Sequence, residues 1–66
     1  MSDRLLYRPE DAAGILDLGR SRIFELMATG ELESVKIGRS RRIPHGALAA
    51  FVERLRSEQA RDLSAA

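Results

Sequence analysis

The sequence predicts one small, mainly helical domain with a single β-hairpin, and three observations support this prediction. Two short segments with helical spacing of apolar residues stand on either side of a tight turn. A run of β-type residues interrupted by Gly38 follows them. Apolar residues with helical spacing then recur after Pro44. At 66 residues, the chain is long enough for one compact core.

The first predicted helix spans residues 9–16. Pro9 suits the first helical position, where a missing N–H costs nothing. Glu10 and Asp11 follow in the first turn, where acidic groups complement the helix dipole. One apolar face then continues through Ala12, Ala13, Ile15 and Leu16. Residues 5–7 are apolar, and we expect them to form a short extended segment ahead of this helix.

The second predicted helix spans residues 20–28 and follows a turn at residues 17–19. Apolar residues at positions i, i+3 and i+4 give it one buried stripe, made of Ile23, Leu26 and Met27. Gly30 stands where a glycine commonly closes a helix. Two short helices joined by such a turn form a helix-turn-helix.

The hairpin is predicted over residues 35–44, with the glycine at its tip. Strand alternation predicts that Val35, Ile37 and Ile43 point inward, whereas Lys36 and Arg42 point outward. Four cationic side chains and no acidic one occur in residues 36–45: Lys36, Arg39, Arg41 and Arg42. A cationic hairpin of this kind is suited to phosphate backbones.

A third helix is predicted to open at Pro44 and to pack on the other two. Its apolar positions are Ala47, Leu48, Phe51, Val52 and Leu55. The pattern thins after this point, so the domain is predicted over residues 1–56. Residues 57–66 are expected to form a fraying helical end, with a disordered tail at residues 63–66.

Composition restricts the possible functions. The formal net charge is +1, but residues 1–35 sum to −3 and residues 36–45 to +4, so the positive charge is concentrated in the hairpin. The absence of cysteine excludes disulfides, and a single histidine does not make a zinc site. We therefore expect no metal and no cofactor. Without a signal-like or membrane-length apolar run, we expect a cytoplasmic protein that does not contact membranes.

The chain resembles a known family in four segments. These are YRPEDAA at residues 7–13, RSRIFEL at residues 20–26, GEL at residues 30–32 and VKIGRSRRIP at residues 35–44. Together they are similar to the excisionase-type DNA-binding domain, which is related to the DNA-binding part of MerR-type regulators. The resemblance implies a winged helix-turn-helix with three helices and a two-stranded wing. Asp17 stands where the family usually has glycine, Gly19 where it has serine, and Arg41 where a large aromatic is common.

The resemblance also implies which residues contact DNA. Arg20, Ser21 and Arg22 would contact DNA from the second helix, set in the major groove. Arg39, Ser40, Arg41 and Arg42 would make the wing contacts, and the cationic pattern of the hairpin adds Lys36. We expect the wing to bind phosphates rather than to read bases. Arg41 shares strand parity with Ile43, so it is expected to lean inward.

Each of these residues also has an ordinary structural interpretation. In that interpretation the hairpin cations form a solvated turn, and Arg20 and Arg22 are ordinary surface residues. Ser21 then caps backbone amides at the start of its helix. We expect Phe24 and Tyr7 to pack within the protein rather than to stack on bases. His45 is expected to face solvent at the start of the third helix. Glu10 and Asp11 are neighbours that point in different directions, so they do not form a catalytic pair.

Three functions fit the sequence, and none of them is enzymatic. The first is an excisionase, or recombination directionality factor, which binds adjacent sites cooperatively and bends DNA so that an integrase excises a mobile element. Its partners would be double-stranded DNA, a site-specific recombinase and neighbouring copies of itself. The second is a small MerR-like transcription regulator with the same contacts. The third is a protein-interaction module that does not use DNA.

Overall fold

The computed structural model of the protein describes residues 4–65, with side chains for residues 4–60. The elements, in chain order, are β1 (Leu6–Tyr7), α1 (Pro9–Leu16), α2 (Arg20–Thr29), β2 (Val35–Ile37), β3 (Ser40–Pro44) and α3 (His45–Ala65). The described chain is mainly helical with a small antiparallel sheet, which confirms the predicted fold class.

The two helices of the helix-turn-helix form where their terminal residues predict them. Helix α1 begins at Pro9, and α2 is closed by Gly30, the residue after its end, whose φ of 83° permits the left-handed closure of the helix. Between the helices, Asp17 takes the left-handed conformation at a φ of 58°, and its N–H bonds the carbonyl of Ala13. Helix α2 runs to Thr29, one residue beyond the predicted end.

The sheet has three strands in the order β1-β3-β2, so the prediction of a two-stranded wing is incomplete. Strand β1 pairs antiparallel with β3, with Leu6 opposite Pro44 and Tyr7 opposite Ile43. This pairing joins segments far apart in the chain, and a local sequence pattern does not report such a contact. The third strand fixes the base of the hairpin to the core.

The hairpin reverses direction at Gly38 and Arg39. Gly38 has a φ of 62°, and positive φ at the first turn position is typical of a type II′ hairpin. Lys36 lies opposite Arg41, and Ile37 lies opposite Ser40.

This register corrects the predicted facing of the hairpin side chains. Because residues directly opposite share a face, Lys36 has Arg41 rather than Arg42 beside it. Ile37 is 56% exposed instead of buried, and Arg41 is exposed while Arg42 is half-buried. The hairpin tip extends beyond the core, so strand parity there no longer separates inside from outside.

Helix α3 begins at His45, one residue after the predicted start, because Pro44 is the last residue of β3. Proline has no N–H to donate to the neighbouring strand, and the N–H of His45 bonds the Leu5 carbonyl at 2.8 Å. The helix continues past residue 56 without a break. The division of the chain into a domain and a tail at this residue stays a prediction. The side chains of residues 61–66, which include the predicted disordered tail, lie outside the described part.

One hydrophobic core joins all three helices, the sheet and the loop after α2. It consists of Tyr7, Ala12, Ala13, Ile23, Leu26, Leu32, Ile43, Ala47, Leu48 and Phe51, with Leu16 and Met27 packed against it. Within residues 4–60, no polar or charged side chain is buried with these residues. Among the described residues, no helix combines the length and the apolar character that a membrane span requires.

Candidate nucleic-acid interface

The outer face of helix α2 is opposite its buried stripe. Ile23 and Leu26 are buried, and successive residues rotate by about 100° around a helix. The exposed residues, which form this outer face, are Arg20, Ser21, Arg22, Phe24, Glu25, Ala28 and Thr29. The predicted contact residues Arg20 and Ser21 are therefore on a surface that a partner can reach.

Phe24 is part of this outer face, and the prediction that it packs in the core is wrong. Its side chain is 48% exposed, and it is absent from the core cluster. It follows Arg20 by four residues, so the two side chains lie one above the other along the helix. This spacing from a predicted contact residue is the sequence signal that marks Phe24 as a functional candidate.

Both arginines of the helix are accompanied by carboxylates. Arg20 lies 4.0 Å from Glu10 of α1, and Arg22 bonds Glu25 of its own helix at 2.9 Å. The side chains of both pairs are about half or more exposed, and exposed ion pairs contribute little stability. A phosphate can therefore replace either carboxylate at a small cost.

Ser21 is exposed at the start of the same helix. Helix α2 has no side-chain cap at Gly19, and the Ser21 hydroxyl makes no hydrogen bond within the described residues. The structure therefore does not show Ser21 as a cap of backbone amides. Its hydroxyl faces solvent at the N-terminal end of α2, and recognition helices direct this end toward the bases.

The hairpin cations differ from those of the helix in their partners. Within the described part of the chain, none of Lys36, Arg39, Arg41 and Arg42 forms an ion pair with an acidic side chain. Arg41 donates to the Ser34 hydroxyl at 3.1 Å, and Arg42 donates to the Arg41 carbonyl at 2.9 Å. These neutral acceptors orient the guanidinium groups without neutralising them.

Lys36 and Arg41 are placed directly opposite each other on adjacent strands. Like charges in this arrangement repel and destabilise a hairpin. Because no acidic side chain of residues 4–60 pairs with either residue, an anion bound from outside would relieve the repulsion. The arrangement is typical of a surface that binds a polyanion.

An open cleft brings the hairpin and helix α2 together. Its hairpin wall is lined by Arg39, Ser40, Arg41 and Arg42, and its α2 wall by Phe24, Met27 and Ala28, while Pro9 and Glu10 of α1 also line it. The predicted wing contacts therefore line a common surface with the outer face of α2. Arg20, Ser21, Arg22 and Lys36 do not line the cleft.

A cluster of side chains around Tyr7 connects strand β1 to helix α1. The Arg4 guanidinium is 4.7 Å from the centre of the Tyr7 ring and bonds Asp11 at 2.7 Å. That hydrogen bond lowers the pKa of the Asp11 carboxyl below its usual value, although partial loss of solvent opposes the shift. Tyr7 is 3% exposed, which confirms that it covers the core.

Two contacts in the loop after α2 were not predicted. Arg54 of α3 donates to the Glu31 carbonyl, and its guanidinium is 5.9 Å from the centre of the Phe51 ring. The Leu32 N–H bonds the Leu26 carbonyl at 3.0 Å. These bonds fix the connection between α2 and the hairpin, so they set the position of one wall of the cleft relative to the other.

Comparison with known proteins agrees with this geometry. Residues 6–56 match the family described as "Helix-turn-helix domain". A curated relative from Saccharopolyspora erythraea, named "Probable excisionase", is 46% identical over 59 residues. The match covers 89% of this chain and 60% of that relative, so the chain spans well under the relative's full length. No solved structure matches the chain. The chain belongs to the helix-turn-helix domain family.

Proposed function

We propose that the protein binds double-stranded DNA with sequence preference, placing α2 in the major groove and the hairpin on the adjoining phosphates. The cleft between them is the observation that carries this proposal, because it joins the hairpin cations and the outer face of α2 in one surface. A recognition helix beside a cationic wing is the arrangement that contacts one duplex at two points.

The charges of the two elements support different roles. The hairpin cations have no acidic partner among the described side chains, so they are suited to phosphates, which every DNA sequence offers equally. Arg20 and Arg22 stand at the start of α2, where recognition helices reach base edges. The helix therefore supplies sequence preference, and the hairpin supplies affinity.

Binding to short duplexes at several salt concentrations tests the proposal. Arg39→Ala and Arg42→Ala are expected to weaken binding to all sequences and to reduce the salt slope by about one per lost contact. Arg20→Ala and Arg22→Ala are expected to change the order of preference among sequences as well. Arg56→Ala is the matched control, since it removes one exposed arginine from α3.

The outcomes separate DNA binding from the protein-interaction alternative. Affinity that falls steeply with salt, and that is lost in the hairpin variants but retained in Arg56→Ala, supports the proposal. Equal effects of the hairpin variants and Arg56→Ala would contradict it. Binding without dependence on salt would contradict it too, because counterion release accompanies every phosphate contact.

We further propose that the DNA-bound protein acts as an excisionase, or recombination directionality factor. The support is the resemblance to a relative named "Probable excisionase" over most of this chain. In this role the protein binds adjacent sites, bends the DNA and helps a site-specific recombinase (an integrase) to assemble. The role is architectural and includes no bond-making step by this chain.

An excision reaction that contains a site-specific recombinase, on DNA that carries a site bound by this protein, tests this role. Excision is expected only when the protein is present, together with cooperative binding and a bend in the site. Arg39→Ala is expected to reduce excision in proportion to the occupied DNA. Unchanged excision without the protein, at a site that it binds, would contradict the recombination role and leave the DNA-binding role intact.

A further inference from the structure

We infer that Phe24 reads a 5-methyl group on the major-groove edge of the bound DNA, in most sites the methyl of a thymine. This inference rests on the proposed DNA binding and names the chemistry that one side chain recognises. It assigns sequence discrimination to an aromatic residue that the charge pattern alone does not mark.

The position of Phe24 is the first argument. Its ring is on the outer face of α2, at the fifth of the helix's ten residues and so within its N-terminal half, and about half of it is exposed. Recognition helices contact base edges mainly through residues near their start. The ring is not part of the core cluster, so about half of its apolar surface remains uncovered in the free protein.

The chemistry of the groove is the second argument. The major-groove edges of base pairs present hydrogen-bond donors and acceptors, and the thymine methyl is the apolar group among them. Phe24, Met27 and Ala28 form an apolar wall of the cleft. This wall has no hydrogen-bonding side chain to match a donor or acceptor, so a methyl group is the complementary partner.

The opposite wall of the cleft is the third argument. Among the described residues, Arg39, Arg41 and Arg42 form no ion pair with an acidic side chain. Their positive charges outnumber the single carboxylate that lines the cleft, that of Glu10, so a DNA strand that enters the cleft is held there by its phosphates. The major-groove base edges near that strand then face the apolar wall. Arg20 is one helical turn before Phe24, within reach of the neighbouring base pair or phosphate.

The test uses duplexes in which each thymine of a bound site is replaced in turn by deoxyuridine, which lacks only the methyl group. At one position the replacement is expected to weaken wild-type binding about fourfold, the effect of about 0.8 kcal/mol for one buried methyl-sized group. Phe24→Ala is expected to bind the thymine and deoxyuridine duplexes equally. Phe24→Leu, which keeps an apolar side chain, is expected to retain part of the difference.

Leu55→Ala is the matched control, because it shortens a partly exposed apolar side chain on α3. It is expected to keep the full sensitivity to deoxyuridine. A second pair of duplexes carries cytosine or 5-methylcytosine in place of this thymine. The wild type is expected to bind the 5-methylcytosine duplex more tightly than the cytosine duplex, whereas Phe24→Ala is expected to bind both equally.

Two results would overturn the inference while DNA binding stands. One is wild-type binding that is insensitive to deoxyuridine at every position. The other is a Phe24→Ala variant with the same sensitivity as the wild type, which would assign the exposed ring to another partner. Absence of duplex binding by the wild type would instead overturn the proposed function, and this inference with it.

Discussion

The Tyr7 hydroxyl lies 3.2 Å from Nδ1 of His45, and the two rings stack with their centres 5.9 Å apart. The contact joins strand β1 to the first turn of α3 across 38 residues of sequence. Strand β3 pairs with β1, leads directly into α3 and is one of the two strands of the hairpin. The pair therefore fixes the base from which the hairpin extends.

Removing the hydroxyl tests how much this contact stabilises the fold. Tyr7→Phe keeps the buried ring and loses one partly buried hydrogen bond, so the free energy of unfolding is expected to fall by about 1 kcal/mol. Urea denaturation measures the change. The loss is expected to disappear when His45→Ala is already present. Equal losses in both backgrounds would show that the hydroxyl acts through another partner.

Asp17 is a strained position in the turn between α1 and α2. Its φ of 58° is costly for a residue with a Cβ, and its carboxylate stands at the negative end of the α1 dipole. Asp17→Gly is expected to raise the free energy of unfolding by about 0.5–1 kcal/mol. Asp17→Ala separates the two causes because it removes the charge and keeps the Cβ. A glycine variant no more stable than the alanine variant would contradict the strain argument.

Acid is expected to destabilise the fold partly through Asp11. The hydrogen bond from Arg4 lowers the pKa of Asp11 in the folded state, although partial loss of solvent opposes it. A lowered folded pKa stabilises the fold above the unfolded pKa, and this stability is lost as the pH falls through the folded pKa. Asp11→Asn is therefore expected to flatten the decline of thermal stability between about pH 5 and pH 2. An unchanged decline would show that other carboxylates cause it.

Stability and binding are expected to change in opposite directions at Lys36. Lys36→Glu converts a repulsive cross-strand pair with Arg41 into an attractive one, which is expected to stabilise the hairpin by about 0.2–1 kcal/mol. The same change places a negative charge beside phosphates and is expected to weaken DNA binding more than Lys36→Gln does. Thermal unfolding and duplex titration measure the two effects. A variant that is more stable and binds equally well would remove Lys36 from the interface.

Local signals in the sequence predict most of the secondary structure. Pro9 at a helix start, Gly30 at a helix end and Gly38 at a hairpin tip each meet a backbone requirement that few other residues meet. The apolar spacing of Ile23 and Leu26 correctly predicts the buried side of α2. These features were predictable because their causes lie within a few residues of one another.

The remaining features depend on contacts between distant segments. The pairing of β1 with β3 requires the folded core, and it decides that Pro44 ends a strand instead of opening a helix. The exposure of Ile37 follows from how far the hairpin extends past the core. Phe24 follows Ile23 directly, and only the direction of the helix relative to the core shows that it faces outward. The charge pattern predicted the hairpin cations of the site but not the apolar wall opposite them.

Amide chemical-shift mapping with duplex DNA tests the central claim most directly, namely that helix α2 and the hairpin contact one duplex together. Titration of a bound site is expected to shift the amides of residues 20–22 and 36–42 with the same midpoint, and to leave most amides in the second half of α3 unchanged. Shifts confined to α3, or an absence of shifts in both 20–22 and 36–42, would contradict the account.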